Sequence, residues 1–301
     1  MRSGPSGCAW QGAPCGPSRA RSRAQPSSRG RPRRRGSPGP RGRSERVSLP
    51  AFDLHERIAL VTGASRGIGR ALALGLAEAG ADIALTSRTR PDLEAAAEAI
   101  GRLGRKAWVV PADLSVPGGI DEMVGQALAA AGRIDILVNN AGVPGVGPAV
   151  DLAEEFWDRV LDTNLRAVFL CARAVARHMI TRGGGGKIVN VGSTAGLVGE
   201  ANLAAYCASK GGVVLLTKAL AVEWARHNIQ VNTLCPGYVR TAMSEAFLQT
   251  DQGREYIRRR IPMRRVAEPE ELAGAVVFLA SAASDYMTGA LLVMDGGESA
   301  W

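Results

Sequence analysis

The sequence predicts a doubly wound α/β fold, a single domain built on a seven-stranded parallel sheet, and three observations predict it. Short β-branched runs alternate with long Ala/Leu-rich amphipathic stretches from Ile58 onward, the pattern of strands joined by right-handed helical crossovers. The runs are apolar almost without interruption, as strands covered on both faces must be. An apolar content of 46% against 22% charged residues suits a sizeable core.

In order, the first strand is 58–62 (IALVT), and a glycine-rich turn leads from it into an Ala/Leu helix at 68–79. The second strand, 82–87 (DIALTS), precedes a helix at 91–103, and the third, 106–111 (KAWVVP), one at 118–131. The fourth, 134–139 (IDILVN), feeds a long helix at 154–181, and the fifth, 187–191 (KIVNV), another at 204–226. The sixth, 230–235 (QVNTLC), is followed by a loop and a helix at 269–281, and 290–294 (ALLVM) closes the sheet. In such folds ligands bind beyond the carboxyl ends of the strands, where the strand order reverses.

The net charge of +9 is unevenly placed. Residues 1–50 hold twelve Arg and one acid, Glu45, which leaves −2 for the rest. A nearly neutral folded part argues against nucleic acid as a partner of the domain. Segment 1–50 is Arg, Ser, Gly and Pro with hardly an aliphatic side chain. It cannot bury enough apolar surface to offset its ordering entropy, so disorder is expected. It lacks the apolar region of a secretory signal, and its Pro and Gly oppose the amphipathic helix of a transit peptide. With 33 Arg against four Lys and abundant Ala and Gly, the coding sequence reads as GC-rich, and the tail as an upstream start assigned in place of one near Ala51. A targeting segment and a polyanion-binding arm are the alternatives. No apolar stretch is read as reaching the roughly 18–20 residues of a membrane span, so no membrane partner is expected. The five cysteines (Cys8, Cys15, Cys171, Cys207, Cys235) form no metal-ligand spacing and no even disulfide set, and they suit a reducing cytoplasm.

The first strand runs into Thr62-Gly63-Ala64-Ser65-Arg66-Gly67-Ile68-Gly69. Glycines here permit a tight turn and let backbone amides approach a pyrophosphate at the start of the next helix. The spacing is one residue longer in its first gap than the G-x-G-x-x-G fingerprint, yet its setting between strand and helix points to a dinucleotide. An acid about 20 residues past the loop would select NAD through the ribose 2′-hydroxyl. The second strand ends instead in Ser87-Arg88-Thr89-Arg90. Arg66 and Arg88, with the hydroxyls of Ser65 and Ser87, suit a 2′-phosphate, and the expected cofactor is NADP(H). The plainer reading has Arg88 solvated at a strand end.

Tyr206-Cys207-Ala208-Ser209-Lys210 opens the fifth helix, and residues four apart share a helix face. A phenol with a pKa near 10 is a poor base at neutral pH, and a cation alongside favours its ionised form. Lys210 is therefore expected to tune Tyr206 downward, so that it gives a proton to a carbonyl oxygen or takes one from an alcohol. Ser193, thirteen residues before it at the end of the fifth strand, is placed to hydrogen-bond the substrate oxygen. A surface helix pair and a loop-capping serine are the plainer readings.

From about Ala51 to Trp301 the chain resembles the short-chain dehydrogenase/reductase family. The motifs stand in the family's order: Thr62-Gly63-x-x-x-Gly67-x-Gly69, Asp113-Leu114, Asn139-Asn140-Ala141-Gly142, Asn164, Ser193, Tyr206-x-x-x-Lys210, and Pro236-Gly237 with Thr241. The resemblance implies a Rossmann-type catalytic domain over 51–301 that interconverts a ketone and a secondary alcohol. It implies that Asp113, with Leu114, meets the adenine and that the Asn139-Asn140-Ala141-Gly142 turn holds the central strand and contacts the cofactor. Asn164 would position a water in a proton relay running from Tyr206 through the ribose and Lys210. Pro236, Gly237, Val239 and Thr241 would hold the nicotinamide. Within the family the likeness is to members acting on gluconate-type sugar acids and polyols, with 3-oxoacyl-carrier reductases as the alternative. No expected catalytic position is substituted, which opposes a non-catalytic NADP-binding regulator. A homotetramer is implied as well, built partly on the helices 154–181 and 204–226, whose apolar residues cover more than one face.

Substrate choice is expected from 195–203 and from 238–265. The second segment carries seven Arg (Arg240, Arg254, Arg258, Arg259, Arg260, Arg264, Arg265) against Glu245, Asp251 and Glu255. A mobile basic lid would favour an anionic substrate, while a solvated amphipathic helix is the plainer reading.

Overall fold

A computed structural model describes residues 50–300. The reading of 1–50 as disordered falls, but for Pro50, outside the described residues, as does Trp301. The seven strands are β1 (Ile58–Thr62), β2 (Asp82–Thr86), β3 (Ala107–Val109), β4 (Ile136–Asn139), β5 (Gly186–Val191), β6 (Ile229–Pro236) and β7 (Leu291–Met294). They form one parallel sheet in the order β3-β2-β1-β4-β5-β6-β7. The fold class read from the sequence is the one observed.

Alternation along β1 shows how both faces are covered. Ala59 and Val61 point into one core layer with Leu72 and Leu76 of α1 (Gly67–Glu78), while Leu60 points into the other. α2 (Arg90–Arg102) joins the first layer through Leu93, Ala96 and Ile100. The second layer takes Met123 and Val124 from α3 (Gly119–Ala131). Each of these side chains is at most 4% exposed, and burying one of the Val, Leu, Ile or Met side chains among them stabilises by about 1.5–3 kcal/mol relative to leaving it in water. That is why the strands read as continuous apolar runs.

The stretch 154–181, read as one helix, is three pieces: α4 (Glu154–Leu161), a π turn (Asp162–Arg166) and α5 (Ala167–Arg182). A widened turn of this kind is rare and concentrates at functional sites. It carries Asn164. Next comes α6 (Ala204–Trp224), continued by a 3-10 turn, Ala225–His227. Together these are long and apolar enough to cross a membrane by length and composition, which corrects the statement that no such stretch exists. Packing supplies the reason for the apolar surface, since Val213, Leu220, Ala221 and Trp224 are buried within the fold.

The segment 238–265, read as a loop, contains α7 (Glu245–Leu248) and α8 (Asp251–Arg260). The helix predicted at 269–281 opens as a 3-10 turn, Pro269–Leu272, and continues as α9 (Ala273–Ala280). Strand order reverses between β1 and β4, so the loops leaving their carboxyl ends diverge. The candidate residues gather on that side of the sheet.

Candidate active site

Thr62 closes β1, and its hydroxyl accepts from the backbone N–H of Asn140 at 2.9 Å and of Ala141 at 3.1 Å. The Asn140 side-chain amide donates to the carbonyl oxygens of Thr62 (3.0 Å) and Gly63 (3.2 Å). The Asn140-Ala141-Gly142 turn is thereby pinned to the glycine loop. Gly63 has φ +65°, and a Cβ there would lie 2.9 Å from the Ala141 Cα. A Cβ at Gly69 would overlap the Gly63 carbonyl oxygen. Arg66, the residue capping α1, offers no side-chain bond to the helix's first amides. Unpaired amides at a helix start, with glycines leaving room above them, are what a pyrophosphate needs. The residues present fit a dinucleotide.

Arg66 and Arg88 are exposed near this loop, and neither is ion-paired with another described residue. The Asp113 carboxyl is held below the usual range, first by bonds from the Ser115 N–H (2.9 Å) and hydroxyl (2.7 Å), and also by the charge of Arg88. Ser65 and Leu114 are half-buried, and Ser87 Oγ accepts from the Thr89 N–H at 3.3 Å. Across the crevice, a Cβ at Gly67 would lie 3.3 Å from Thr241 Cγ2. The loop after β6 therefore closes on the glycine loop, with Pro236 and Val239 buried and Gly237 between them. Val239 is held by a parallel bridge to Ala267.

Tyr206 and Lys210 occupy the first turns of α6. The Lys210 Nζ lies 5.7 Å from the centre of the Tyr206 ring and donates to the Val191 carbonyl oxygen at 2.8 Å. Burial brings the Lys210 ammonium down to about 8, with the Cys235 thiol acting in the opposite sense. Burial likewise pushes the Tyr206 phenol up to about 12, opposed by the Ser193 side chain and reinforced by Glu200. Against the expected downward tuning of Tyr206 by Lys210, burial is the dominant influence on the phenol in the protein alone, and the ammonium donates to a carbonyl at the end of β5. Ser193 combines its two readings. Its hydroxyl accepts from the Ala195 N–H at 3.2 Å, capping a short 3-10 turn, and it also neighbours the phenol.

Asn164, fully buried in the π turn, is fixed on both sides of its amide. Its Oδ1 accepts from the Val143 N–H at 2.8 Å, and its Nδ2 donates to the Val143 carbonyl oxygen at 3.0 Å and to Ser209 Oγ at 3.3 Å. Ser209 in turn donates to the Tyr206 carbonyl oxygen at 2.8 Å. One chain of bonds thus connects the turn after β4 to the backbone of the tyrosine.

Sequence reasoning missed the polar ladder beneath. Asn139 Nδ2 donates to Asn190 Oδ1 (2.9 Å), Asn190 Nδ2 to Thr217 Oγ1 (2.9 Å), and Thr233 Oγ1 to Thr217 Oγ1 (2.9 Å). Asn139 faces Asn190 and Asn190 faces Thr233 in the strand register. A polar residue inside each of three apolar strands was the available signal, because such groups require partners. Glu200, Tyr238, Tyr256 and Glu298 were also missed as a group.

The basic lid is partly neutralised. Arg240 pairs with Glu268 and Glu245, Arg254 with Asp251, Arg258 and Arg259 with Glu255, and Arg265 with Glu271. Only Arg260 and Arg264 of the seven have no ion pair to a described residue; Glu268 and Glu271, which lie outside the segment, bring its seven Arg against three acids to seven against five, halving the net charge from +4 to +2.

A phenol and a buried ammonium beside a dinucleotide cradle equip a protein for proton transfer coupled to hydride transfer. The chain belongs to the short-chain dehydrogenase/reductase family of oxidoreductases: residues 63–299 match the family model described as "Enoyl-(Acyl carrier protein) reductase". It is 41% identical over 249 residues to the 2-dehydro-3-deoxy-D-gluconate 5-dehydrogenase of Escherichia coli K12, spanning 83% of this chain and 98% of that one. It is 42% identical over 246 residues to the gluconate 5-dehydrogenase of Gluconobacter oxydans, spanning 82% and 96%. A crystal structure of a gluconate 5-dehydrogenase from Burkholderia cenocepacia, in complex with NADP and tartrate, superimposes with a TM-score of 0.80 at 39% identity, covering 83% and 98%.

Proposed function

We propose that this chain interconverts the ketone and secondary alcohol of a sugar acid or related polyol, with NADP(H) as cofactor. The convergence of Ser193, Tyr206 and Lys210 on one end of the glycine-loop crevice carries this reading. The dehydrogenases of gluconate and its dehydro-deoxy derivative among its relatives support the substrate class.

Gly63, Gly67 and Gly69 with the first amides of α1 would hold the pyrophosphate, and Arg66, Arg88, Ser65 and Ser87 the 2′-phosphate. Asp113 and Leu114 would meet the adenine, and Asn140, Ala141 and Gly142 would line the path to the nicotinamide end. Pro236, Gly237, Val239 and Thr241 would bound that end. When bound, the nicotinamide supplies or accepts the hydride. Ser193 donates its hydroxyl hydrogen to the substrate oxygen. Tyr206 gives its phenolic proton to that oxygen in reduction and takes one from the alcohol in oxidation. A phenol raised to about 12 keeps its proton at neutral pH, which suits the acid role, and Lys210 supplies the positive charge that stabilises the phenolate left behind. Asn164 holds the turn at Val143 and positions the backbone of Tyr206 through Ser209.

We place the protein in the cytoplasm as a homotetramer. The exposure of Phe169 and Ile180 on α5 and of Leu215 (68%) and Val222 (83%) on α6 supports subunit packing on those helices.

Initial rates with NADPH and NADH, against 5-ketogluconate, other ketoses and acetoacetyl thioesters, test the reading. Preferred reduction of a hydroxylated ketone with NADPH is expected. Preferred turnover of the thioester would instead favour a carrier-linked acyl reductase, and a strong NADH preference would remove the role given to Arg66 and Arg88.

A further inference from the structure

Two carboxylates lie close together on the substrate side, and they are satisfied differently. Glu298, only 4% exposed, has both oxygens engaged. Oε1 accepts from the Tyr256 hydroxyl at 2.6 Å and Oε2 from the Thr194 hydroxyl at 3.3 Å. It ties α8 to the residue next to Ser193. Glu200 has a single long bond, from the Tyr238 hydroxyl to Oε2 at 3.4 Å, and its Oε1 accepts from no described residue. Burial pushes its carboxyl up, the charge of Glu298 adds to the rise, and Tyr238 and Arg260 offset part of it. The protein leaves this half-buried carboxylate short of donors.

Its place in the chain is informative. Glu200 sits on the segment joining Ser193 to Tyr206. That segment is anchored by the N–H groups of Leu197 (2.8 Å) and Val198 (3.0 Å) on the Thr194 carbonyl oxygen, and by the Gly147 N–H on the Asn202 carbonyl oxygen (2.8 Å). Tyr238, its one partner, follows Pro236-Gly237. The Tyr238 ring packs 5.1 Å from Tyr256 on α8 and 5.6 Å from Phe247 on α7. Glu200 therefore stands between the two loops that flank the reacting groups, under the aromatic face of the lid.

We propose that Glu200 is a specificity-determining residue that accepts a hydrogen bond from a hydroxyl of the substrate, beside the carbonyl that Ser193 and Tyr206 hold. The inference rests on the function proposed above and narrows it. A polyhydroxylated ketone brings the O–H donors that the free oxygen lacks. An alkyl or acyl chain in the same place would strip water from the carboxylate and return nothing, which is costly for a charged group. Selection arises from that difference.

The test compares 5-keto-D-gluconate with 5-oxohexanoate, which keeps the ketone and the carboxylate at the same spacing and lacks the hydroxyls. The ratio of kcat/KM for the two, with NADPH, is measured for the wild type, Glu200→Gln and Glu200→Leu. NADPH binding by fluorescence verifies the fold of each variant. The wild type is expected to favour the hydroxylated ketone. The ratio should fall about 10- to 100-fold in Glu200→Leu, the loss of a hydrogen bond to a charged group, and by a smaller factor in Glu200→Gln, which keeps an acceptor oxygen. If Glu200→Leu does not bind NADPH, Glu200→Gln decides, and an unchanged ratio there overturns the proposal. A wild type that reduces 5-keto-D-gluconate with a ratio unmoved in the variants overturns the role of Glu200 alone. A wild type that reduces no hydroxylated ketone removes the functional reading and this inference together.

Discussion

Replacing Lys210 with methionine should make the protein inactive and, at neutral pH, more stable. The ammonium is 4% exposed, and burial brings its pKa from 10.5 to about 8. That difference corresponds to about 3 kcal/mol of stability withheld while the folded state keeps the proton. The unfolded chain holds this proton up to about 10.5 and the folded chain releases it near 8. Between those values the unfolded state binds more protons, and stability rises with pH. Below about 8 the full cost is present. Lys210→Met removes the charge but also the donor to the Val191 carbonyl oxygen, a loss of about 1–2 kcal/mol. The net gain at pH 7 is therefore about 1–2 kcal/mol. The larger signal is the change with pH: going from pH 7 to pH 10, the wild type should gain most of the 3 kcal/mol relative to the variant. At roughly 2–4 °C per kcal/mol for a domain of this size, the difference in Tm should move by about 5–10 °C. Tyr206, raised from 10 to about 12, lowers stability only above about pH 10 and stays outside this window. Thermal unfolding of both proteins by circular dichroism at pH 7, 8.5 and 10 measures the effect. A difference in Tm that is the same at pH 7 and pH 10 would refute the reasoning.

Removing Arg66 and Arg88 together by alanine substitution should raise KM for NADPH by about 10- to 100-fold and leave KM for NADH nearly unchanged, as loss of charge-assisted phosphate contacts requires. Initial-rate kinetics with both nucleotides checks it. Thr217→Val keeps the shape but strands the buried donors of Asn190 and Thr233, so a loss of about 2–4 kcal/mol in urea unfolding is expected. Asn164→Ala removes the bonds to Val143 and Ser209 and should lower kcat more than it raises KM. Equal effects on both would assign Asn164 to substrate binding instead.

Much of the fold was legible because burial on both faces leaves a direct trace in composition. β1 matches its predicted span residue for residue, β2, β5 and β7 differ from theirs by one residue at one end, and β6 is longer than its span by one residue at each end. The break at 162–166 was not legible. A single widened turn barely disturbs the 3.6-residue pattern on either side, and the pattern cannot say that Asn164 bonds to Val143 rather than to its own helix. Site residues on glycine-rich turns and at strand ends stood out, since their identity answers to a ligand. Asn190 and Thr217 did not, because their partners lie on elements distant in sequence. Charge in the lid misled for the same reason: Arg240 and Arg265 pair with Glu268 and Glu271, acids that a local count of 238–265 does not include. The lysine beside the tyrosine was legible as a spacing. Its bond to the Val191 carbonyl, and the desolvation that raises the phenol, required the folded chain.

Single-turnover reduction by Tyr206→Phe is the most direct measurement of the central claim that the phenolic proton of Tyr206 goes to the substrate oxygen. NADPH-loaded wild type and variant are mixed with 5-keto-D-gluconate, and loss of reduced nicotinamide absorbance is followed while nucleotide affinity is measured by fluorescence. The account predicts a loss of at least about 100-fold in the reduction rate, at the low end of what general acid catalysis contributes, with NADPH affinity nearly unchanged. A variant that reduces the ketone within a few-fold of the wild-type rate would contradict it.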